Sequence, residues 1–235
     1  MTATKRDYVD VVYNESDRPL TFYPERLARY LFDRYQVGSG SRLLDIGCGR
    51  GEFLRGFIEC GVEGYGVDQS RAAERYCPDA VLKTSDLENE GIPYEDNFFD
   101  VVYSKSVIEH FYYPERLAKE MYRVLKPGGL AITLCPDWEY NYRIYFEDYT
   151  HRTPFMQASL RDIHLIHGFE NVSIERFRQL PVLWGSGRVL TPLAELTRVL
   201  APGMLKPYSK WVRFSKEIML LASATKPNVE DSFRG

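Results

Sequence analysis

Three groups of residues in this 235-residue chain have the types and spacing to do chemistry. The first is a carboxylate just ahead of a glycine run, Asp45-Ile46-Gly47-Cys48-Gly49-Arg50-Gly51-Glu52. Glycines reach positive φ and let a ligand come close to the main chain. A helix starting at Glu52 would add free N–H groups for a polar ligand. A dinucleotide loop needs G-x-G-x-x-G for its pyrophosphate, and here the third required position is Glu52. A carboxylate at Asp45 opposes a pyrophosphate and suits a ligand that carries an ammonium group. The second group is Asp68, closing Gly64-Tyr65-Gly66-Val67-Asp68, where an acid can accept hydrogen bonds from both ribose hydroxyls. The two carboxylates together fit a cation-bearing nucleoside. The third group is a pair of histidines, His110 and His151. With a free pKa of ~6.5, either suits proton removal near neutrality.

These side chains need a frame. Apolar periodicity and turn residues predict a helix over 24–35 and a strand ending at Ile46. A helix to Cys60, a strand ending at Asp68, a short helix over 70–76 and a short strand over 80–83 follow. A strand over 98–104 places Ser104 at its carboxyl end, where open α/β sheets bind ligands, and His110 a few residues beyond. A helix over 114–125 carries Leu117, Ala118, Met121, Val124 and Leu125 on one stripe. Pro127-Gly128-Gly129 then turns the chain into a strand over 130–135. Ser159 reads as the N-cap of a helix running to His167. Strands over 171–178 and 217–225 complete the pattern.

Five motifs in this order resemble the class I S-adenosylmethionine (SAM) dependent methyltransferases, of the type 11/12 kind. They are Asp45-Ile46-Gly47-Cys48-Gly49-Arg50-Gly51, Val67-Asp68-Gln69-Ser70, Ser85-Asp86-Leu87, Phe99-Asp100-Val101-Val102 and Leu125-Lys126-Pro127-Gly128-Gly129. The resemblance covers roughly residues 22–178. It implies an α/β fold: a seven-stranded, mostly parallel, doubly wound Rossmann-like sheet with the last strand antiparallel between the fifth and sixth. It also implies that Asp45, Gly47, Cys48 and Gly49 hold the methionine part of SAM. Asp68, with Gln69 and Ser70, would take the ribose, Asp86 and Leu87 the adenine, and Ser104 would line the same pocket. The product would be S-adenosylhomocysteine.

Length suits one such domain, with an N-terminal arm over 1–22, an aromatic insertion over 136–158 after the fifth strand, and a cap over 179–216 between the sixth and seventh. A net charge of −3 gives no reason to expect nucleic-acid binding. The four cysteines form no C-x-x-C pair, which fits a reducing, cytoplasmic setting and argues against a zinc motif. The chain starts without an apolar signal region, and no run is long enough to span a membrane.

The acceptor side is the aromatic insertion, with Tyr140, Tyr142, Tyr145 and Asp148 as candidate substrate contacts. Aromatic faces with asparagine in one loop suit sugars. His110 and His151 are the candidate bases, which Asp148 could orient; His164 and His167 read as structural. Ser106-Val107-Ile108-Glu109-His110 resembles the Glu-x-x-Glu-His of some quinone-biosynthesis O-methyltransferases, which holds a divalent ion. Ser106 replaces the first glutamate, so no essential metal is expected and chelator should leave turnover unchanged. The phrase Phe146–Phe155 is similar to bacterial methyltransferases found with surface-polysaccharide assembly. In the cap, basic residues border apolar ones such as Leu193, Leu196, Val199 and Met204. Such a pattern suits either an anionic lipid surface or a packed cap or dimer face. The expected activity is O-methylation of a sugar in a glycan or lipid-linked saccharide. Rivals are methylation of a quinone or other small metabolite, a non-enzymatic SAM-binding module, and a nicotinamide dehydrogenase.

Overall fold

The computed structural model describes residues 19–206 and 208–228. The proposed arm lies almost wholly outside the described residues. In chain order the elements are helix α1 (Tyr23–Arg34), strand β1 (Arg42–Ile46), α2 (Glu52–Ile58), β2 (Glu63–Asp68), α3 (Ala73–Tyr76) and β3 (Val81–Thr84). Then come β4 (Phe99–Lys105), α4 (Pro114–Val124), β5 (Leu125–Pro136), α5 (Trp138–Asn141) and α6 (Gln157–Ile166). The chain ends with β6 (Glu170–Arg178), α7 (Thr191–Leu200), α8 (Lys210–Lys216) and β7 (Ile218–Thr225).

The seven strands form one sheet in the order β3-β2-β1-β4-β5-β7-β6. Only β7 runs against its neighbours, pairing antiparallel with both β5 and β6. The order reverses between β1 and β4, and that is where an open α/β sheet leaves a crevice at its carboxyl edge. Asp45 stands opposite Tyr103 in this register, and Ile46 opposite Ser104.

Side chains alternate across a strand, so each face of the sheet has its own core. Leu44, Ile46 and Val102 pack with Leu117, Met121 and Val124 of α4 and Leu160 of α6. Leu43, Val101 and Tyr103 face the other way, onto Leu27, Ala28 and Leu31 of α1 and Leu54 and Phe57 of α2. Burying each large aliphatic side chain contributes roughly 1.5–3 kcal/mol, so these two layers hold the carboxyl edge rigid beneath the site.

Two local expectations are corrected. Helix α6 begins at Gln157, not after Ser159. Ser159 sits inside the first turn, and its hydroxyl accepts from the Met156 N–H at 2.9 Å, so it caps from within. The ladder of β5 also starts earlier than the Pro127-Gly128-Gly129 turn suggests. Leu125 already pairs with Phe99, and the register shifts before Leu130 meets Val101. The glycine pair is thus absorbed as a bulge.

The cap packs by its inner side. Leu180, Leu183 and Ala194 are buried with Trp211 and Phe214 against them. Trp184 stacks on Tyr30 of α1 at 4.9 Å and on Phe177 of β6 at 5.5 Å. Its outer side leaves Leu193, Leu196, Val199, Leu200, Met204 and Tyr208 exposed. Of its basic residues, Arg198 pairs with Glu195 inside the cap, and Lys206 and Arg213 pair with Glu217 just outside it; Arg176 and Arg178 of β6 pair with Asp137 and Glu139 and with Glu195.

Candidate functional site

The glycine bend between β1 and α2 is built around left-handed backbone. Gly47, Gly49 and Gly51 have φ of 69°, 53° and 76°. A Cβ on Gly47 would lie 2.4 Å from Val107 Cγ2, so that glycine is required by packing. A Cβ on Gly49 would meet nothing within 4 Å. Gly49 therefore leaves room rather than filling it, as a backbone that admits a ligand must.

Asp45 lies at the base of this bend, 2% exposed. Its Oδ2 has no hydrogen-bond partner among the described residues. Burial, reinforced by the nearby charge of Asp68, holds its carboxyl well above the usual range, and Lys105 only partly offsets this. A backbone hydrogen bond from Leu54 offsets it further, but a buried carboxylate with one oxygen left bare still costs several kcal/mol unless a cation meets it. Asp68, at the end of β2, is already engaged: its Oδ2 accepts from the Gly49 N–H and its Oδ1 from the Ser70 N–H, both at 2.8 Å. It shapes the bend from beneath.

Asp86 follows β3 and accepts from the Asn89 side chain at 2.8 Å and from Gln69 Nε2 at 3.4 Å. The Asn89 bond holds its carboxyl below the usual range, so it stays an acceptor. Leu87 is buried beside it. Cys48 is buried in the bend, and burial pushes its thiol up, so it is inert. Ser104 ends β4 fully buried, its hydroxyl unpartnered among the described residues. These residues lie at or just past the carboxyl ends of β3, β2, β1 and β4, which are neighbours in the sheet. The buried Tyr103 hydroxyl, also unpartnered, is an addition that no local pattern signals.

The acceptor side is assembled by two segments. After β4, Ser106 takes φ of 58°, a left-handed conformation that costs a non-glycine residue ~1 kcal/mol. The chain then forms a short 3-10 turn, Ile108–His110. The loop from the insertion is clamped onto it: the Arg152 and Thr153 N–H groups donate to the Glu109 carbonyl at 2.8 and 3.0 Å, and the Thr153 hydroxyl to the Phe111 carbonyl at 2.8 Å. This brings His110 and His151 together, ring centroids 4.8 Å apart.

Each ring is oriented. The Thr150 hydroxyl donates to Asp148 Oδ1 at 2.5 Å, and its oxygen lies 2.9 Å from His110 Nδ1. A hydroxyl has one proton, so Thr150 accepts from His110 Nδ1–H and leaves Nε2 with its lone pair. His151 Nδ1 lies 2.6 Å from the Tyr145 carbonyl, which can only accept, so His151 is in the same tautomer. Asp148 thus orients His110, through Thr150, while a carbonyl orients His151. Burial, with the neighbouring His151, lowers His110 to about 4, below the value expected of a free imidazole. It is neutral at pH 7 and a weaker base than the sequence suggests. Glu109 is buried, both its oxygens lack partners among the described residues, and burial pushes its carboxyl up to about 8. The sequence places it beside His110 but does not reveal that it is sealed.

The tyrosines divide. Tyr145 is buried against His151 at 4.5 Å and spends its hydroxyl on the Thr153 carbonyl at 2.6 Å. Tyr140 lies under the guanidinium groups of Arg176 and Arg198, at 4.6 and 5.1 Å, on the cap side. Tyr142 is exposed beside Arg143. The exposed aromatic faces near the loop are Tyr142, Phe146 and Tyr149. His164 is structural, buried with Nδ1 on the Leu160 carbonyl at 2.7 Å.

Residues 44–133 match the family described as a methyltransferase domain. An uncharacterized methyltransferase from Mycobacterium sp. (strain KMS) is 32% identical over 136 residues, 54% of this chain and 54% of that protein. The chain spans about half the length, or less, of the curated relatives it matches, from 38% to 54%. Among solved structures, the complex of the Haloferax volcanii Trm112 methyltransferase activator with its methyltransferase partner matches at TM-score 0.71. That match is 21% identical and covers 96% of this chain and 100% of the other. A SAM-dependent methyltransferase from Archaeoglobus fulgidus matches at TM-score 0.65 with 24% identity, covering 93% of this chain and 100% of that one. These likenesses establish the fold as the seven-stranded α/β fold of SAM-dependent methyltransferases.

Proposed function

We propose that this chain is a class I SAM-dependent methyltransferase that acts on oxygen. One observation carries the reading: a buried carboxylate with an unsatisfied oxygen, Asp45, beneath a glycine bend left open at Gly49. These residues fit SAM, since its ammonium group supplies the partner that Asp45 lacks. In this reading Asp68 and Gln69 would take the ribose hydroxyls, and Asp86 and Leu87 the adenine. When bound, SAM supplies a methyl group activated by the sulfonium charge. The protein has to hold the acceptor oxygen in line, exclude water and receive a proton. His110 and His151 offer Nε2 atoms for that proton.

The acceptor we propose is a sugar hydroxyl of a glycan or lipid-linked saccharide. The exposed faces of Tyr142, Phe146 and Tyr149 in the insertion that carries His151 support it, because aromatic faces bind sugar rings. Presentation at an anionic membrane surface fits the exposed apolar side of α7 with Arg188 and Lys210, which form no ion pair among the described residues. No helix among the described residues is long and apolar enough to cross a membrane, so contact would be peripheral. Incubation with methyl-labelled SAM and a cell extract fractionated into lipids, glycans and small molecules tests the reading. Label in the glycan or lipid fraction supports it. Label only in phenolic or quinone metabolites would move the acceptor to that class, and SAM binding without any transfer would make the chain a binding module.

A further inference from the structure

Glu109, His110 and His151 each offer one ligating atom within 4.8 Å of those of the other two. They come from two segments, the 3-10 turn after β4 and the insertion loop, clamped together by the backbone bonds to Glu109 and Phe111. Three features distinguish this cluster from chance proximity. Both imidazoles have their Nδ1 protons fixed, one by the Tyr145 carbonyl and one by the Thr150–Asp148 relay. This is the outer support that metal-binding histidines use to hold a lone pair forward. Both Nε2 atoms are therefore free to donate electrons. The Glu109 carboxyl is 1% exposed, and neither oxygen has a hydrogen-bond partner among the described residues. A buried carboxyl beside two imidazoles so oriented makes a coherent ligand set.

The geometry points to a divalent first-row transition-metal site formed by Glu109, His110 and His151. Two imidazoles with one carboxylate suit zinc, cobalt or manganese, whereas magnesium and calcium prefer oxygen donors alone. Ligands at ~2.0–2.2 Å from such an ion stand roughly 3.3 Å apart, so the trio would close by up to about 1.5 Å on binding. Ser106 offers no carboxylate here, and His151 from the insertion takes the third place. Three protein ligands keep coordination positions open. On the acceptor reading above, which this use depends on, an open position would orient the acceptor hydroxyl. Methyl transfer from a sulfonium needs no metal, so the inference concerns binding and positioning, not the methyl donor.

The test uses the full chain, dialysed against chelator and then titrated with Co2+ or Zn2+ in the absence of SAM. One ion per chain is expected, with visible cobalt absorption of a nitrogen–oxygen site and a raised melting temperature on Zn2+. Glu109→Gln keeps the side-chain shape, and His151→Gln lies on a half-buried loop, so both variants should fold. Each should weaken binding at least tenfold, while SAM binding, measured separately by calorimetry, stays unchanged. Absence of stoichiometric binding, binding unaltered in both variants, or equal stabilisation by Mg2+ would overturn the site. Since SAM is left out of the metal titration, its result is independent of whether the cofactor reading holds.

Discussion

Two carboxyl groups, Asp45 after the core of β1 and Glu109 beyond β4, are buried at neighbouring points of the same sheet edge, and both have oxygens without a partner among the described residues. Their surroundings differ. Asp45 faces backbone that glycine keeps open and a second carboxylate, Asp68, which raises its pKa further. Glu109 faces two oriented imidazoles and a closed loop. Lys105 acts on both, lowering each in part. The difference teaches that a bare buried acid is not one signal. Beside open backbone it marks a place for an organic cation; beside histidine lone pairs it marks a place for a compact ion.

The comparison can be broken most strongly at Asp45. Its folded pKa lies above the unfolded value, so between those values the folded chain holds more protons than the unfolded one. Stability without ligand therefore falls as pH rises through that window. Asp45→Asn should remove this slope and stabilise the ligand-free protein above pH 6 by a few kcal/mol, read by denaturant titration across pH. An unchanged slope would mean that Asp45 has a partner or stays solvated. Gly49→Val comes next. Its Cβ would enter the open side of the bend at φ of 53°, where a branched residue costs about 1–2 kcal/mol. SAM affinity should drop by tens-fold with only a modest loss of thermal stability. An affinity near wild type would show that the space is not used.

On the acceptor wall the effects should be smaller. Thr150→Val severs the relay from Asp148 to His110 while keeping the side-chain shape. Turnover should fall several-fold with SAM affinity unchanged; equal loss of both would place Thr150 in the cofactor half. Smallest of all is Leu196→Glu on the outer side of α7, where Leu196 is 54% exposed. Fold stability should stay within ~0.5 kcal/mol, while flotation with anionic liposomes should be lost. Flotation that ignores both the variant and lipid charge would return this surface to a second protein chain.

The two halves also differ in how far the sequence reveals them. The strand ends, Asp45, the glycine bend and Asp68 follow from alternation and from backbone chemistry, which act over a few residues. The acceptor wall follows from a loop docking across about forty positions. Nothing near His110 in sequence announces Thr150, and nothing near Glu109 shows that Arg152 and Thr153 will seal it. Tyr140, Tyr142 and Tyr145 read alike because they share one stretch, yet a single helical turn separates them: the Tyr140 ring lies under Arg176 and Arg198, Tyr142 keeps an exposed face, and Tyr145 is buried. The cap reads as more basic than it is because Glu217, the acid that meets Lys206 and Arg213, lies just outside it.

The central claim is that Asp45 waits for the ammonium of an adenosyl ligand. Calorimetric titration of the wild-type chain and of Asp45→Asn with SAM at pH 7.5 tests it most directly. One site per chain on the wild type and binding at least about a hundredfold weaker on the variant, near 3 kcal/mol, is the outcome the account requires. No heat on the wild type, or equal affinity on both, would contradict it.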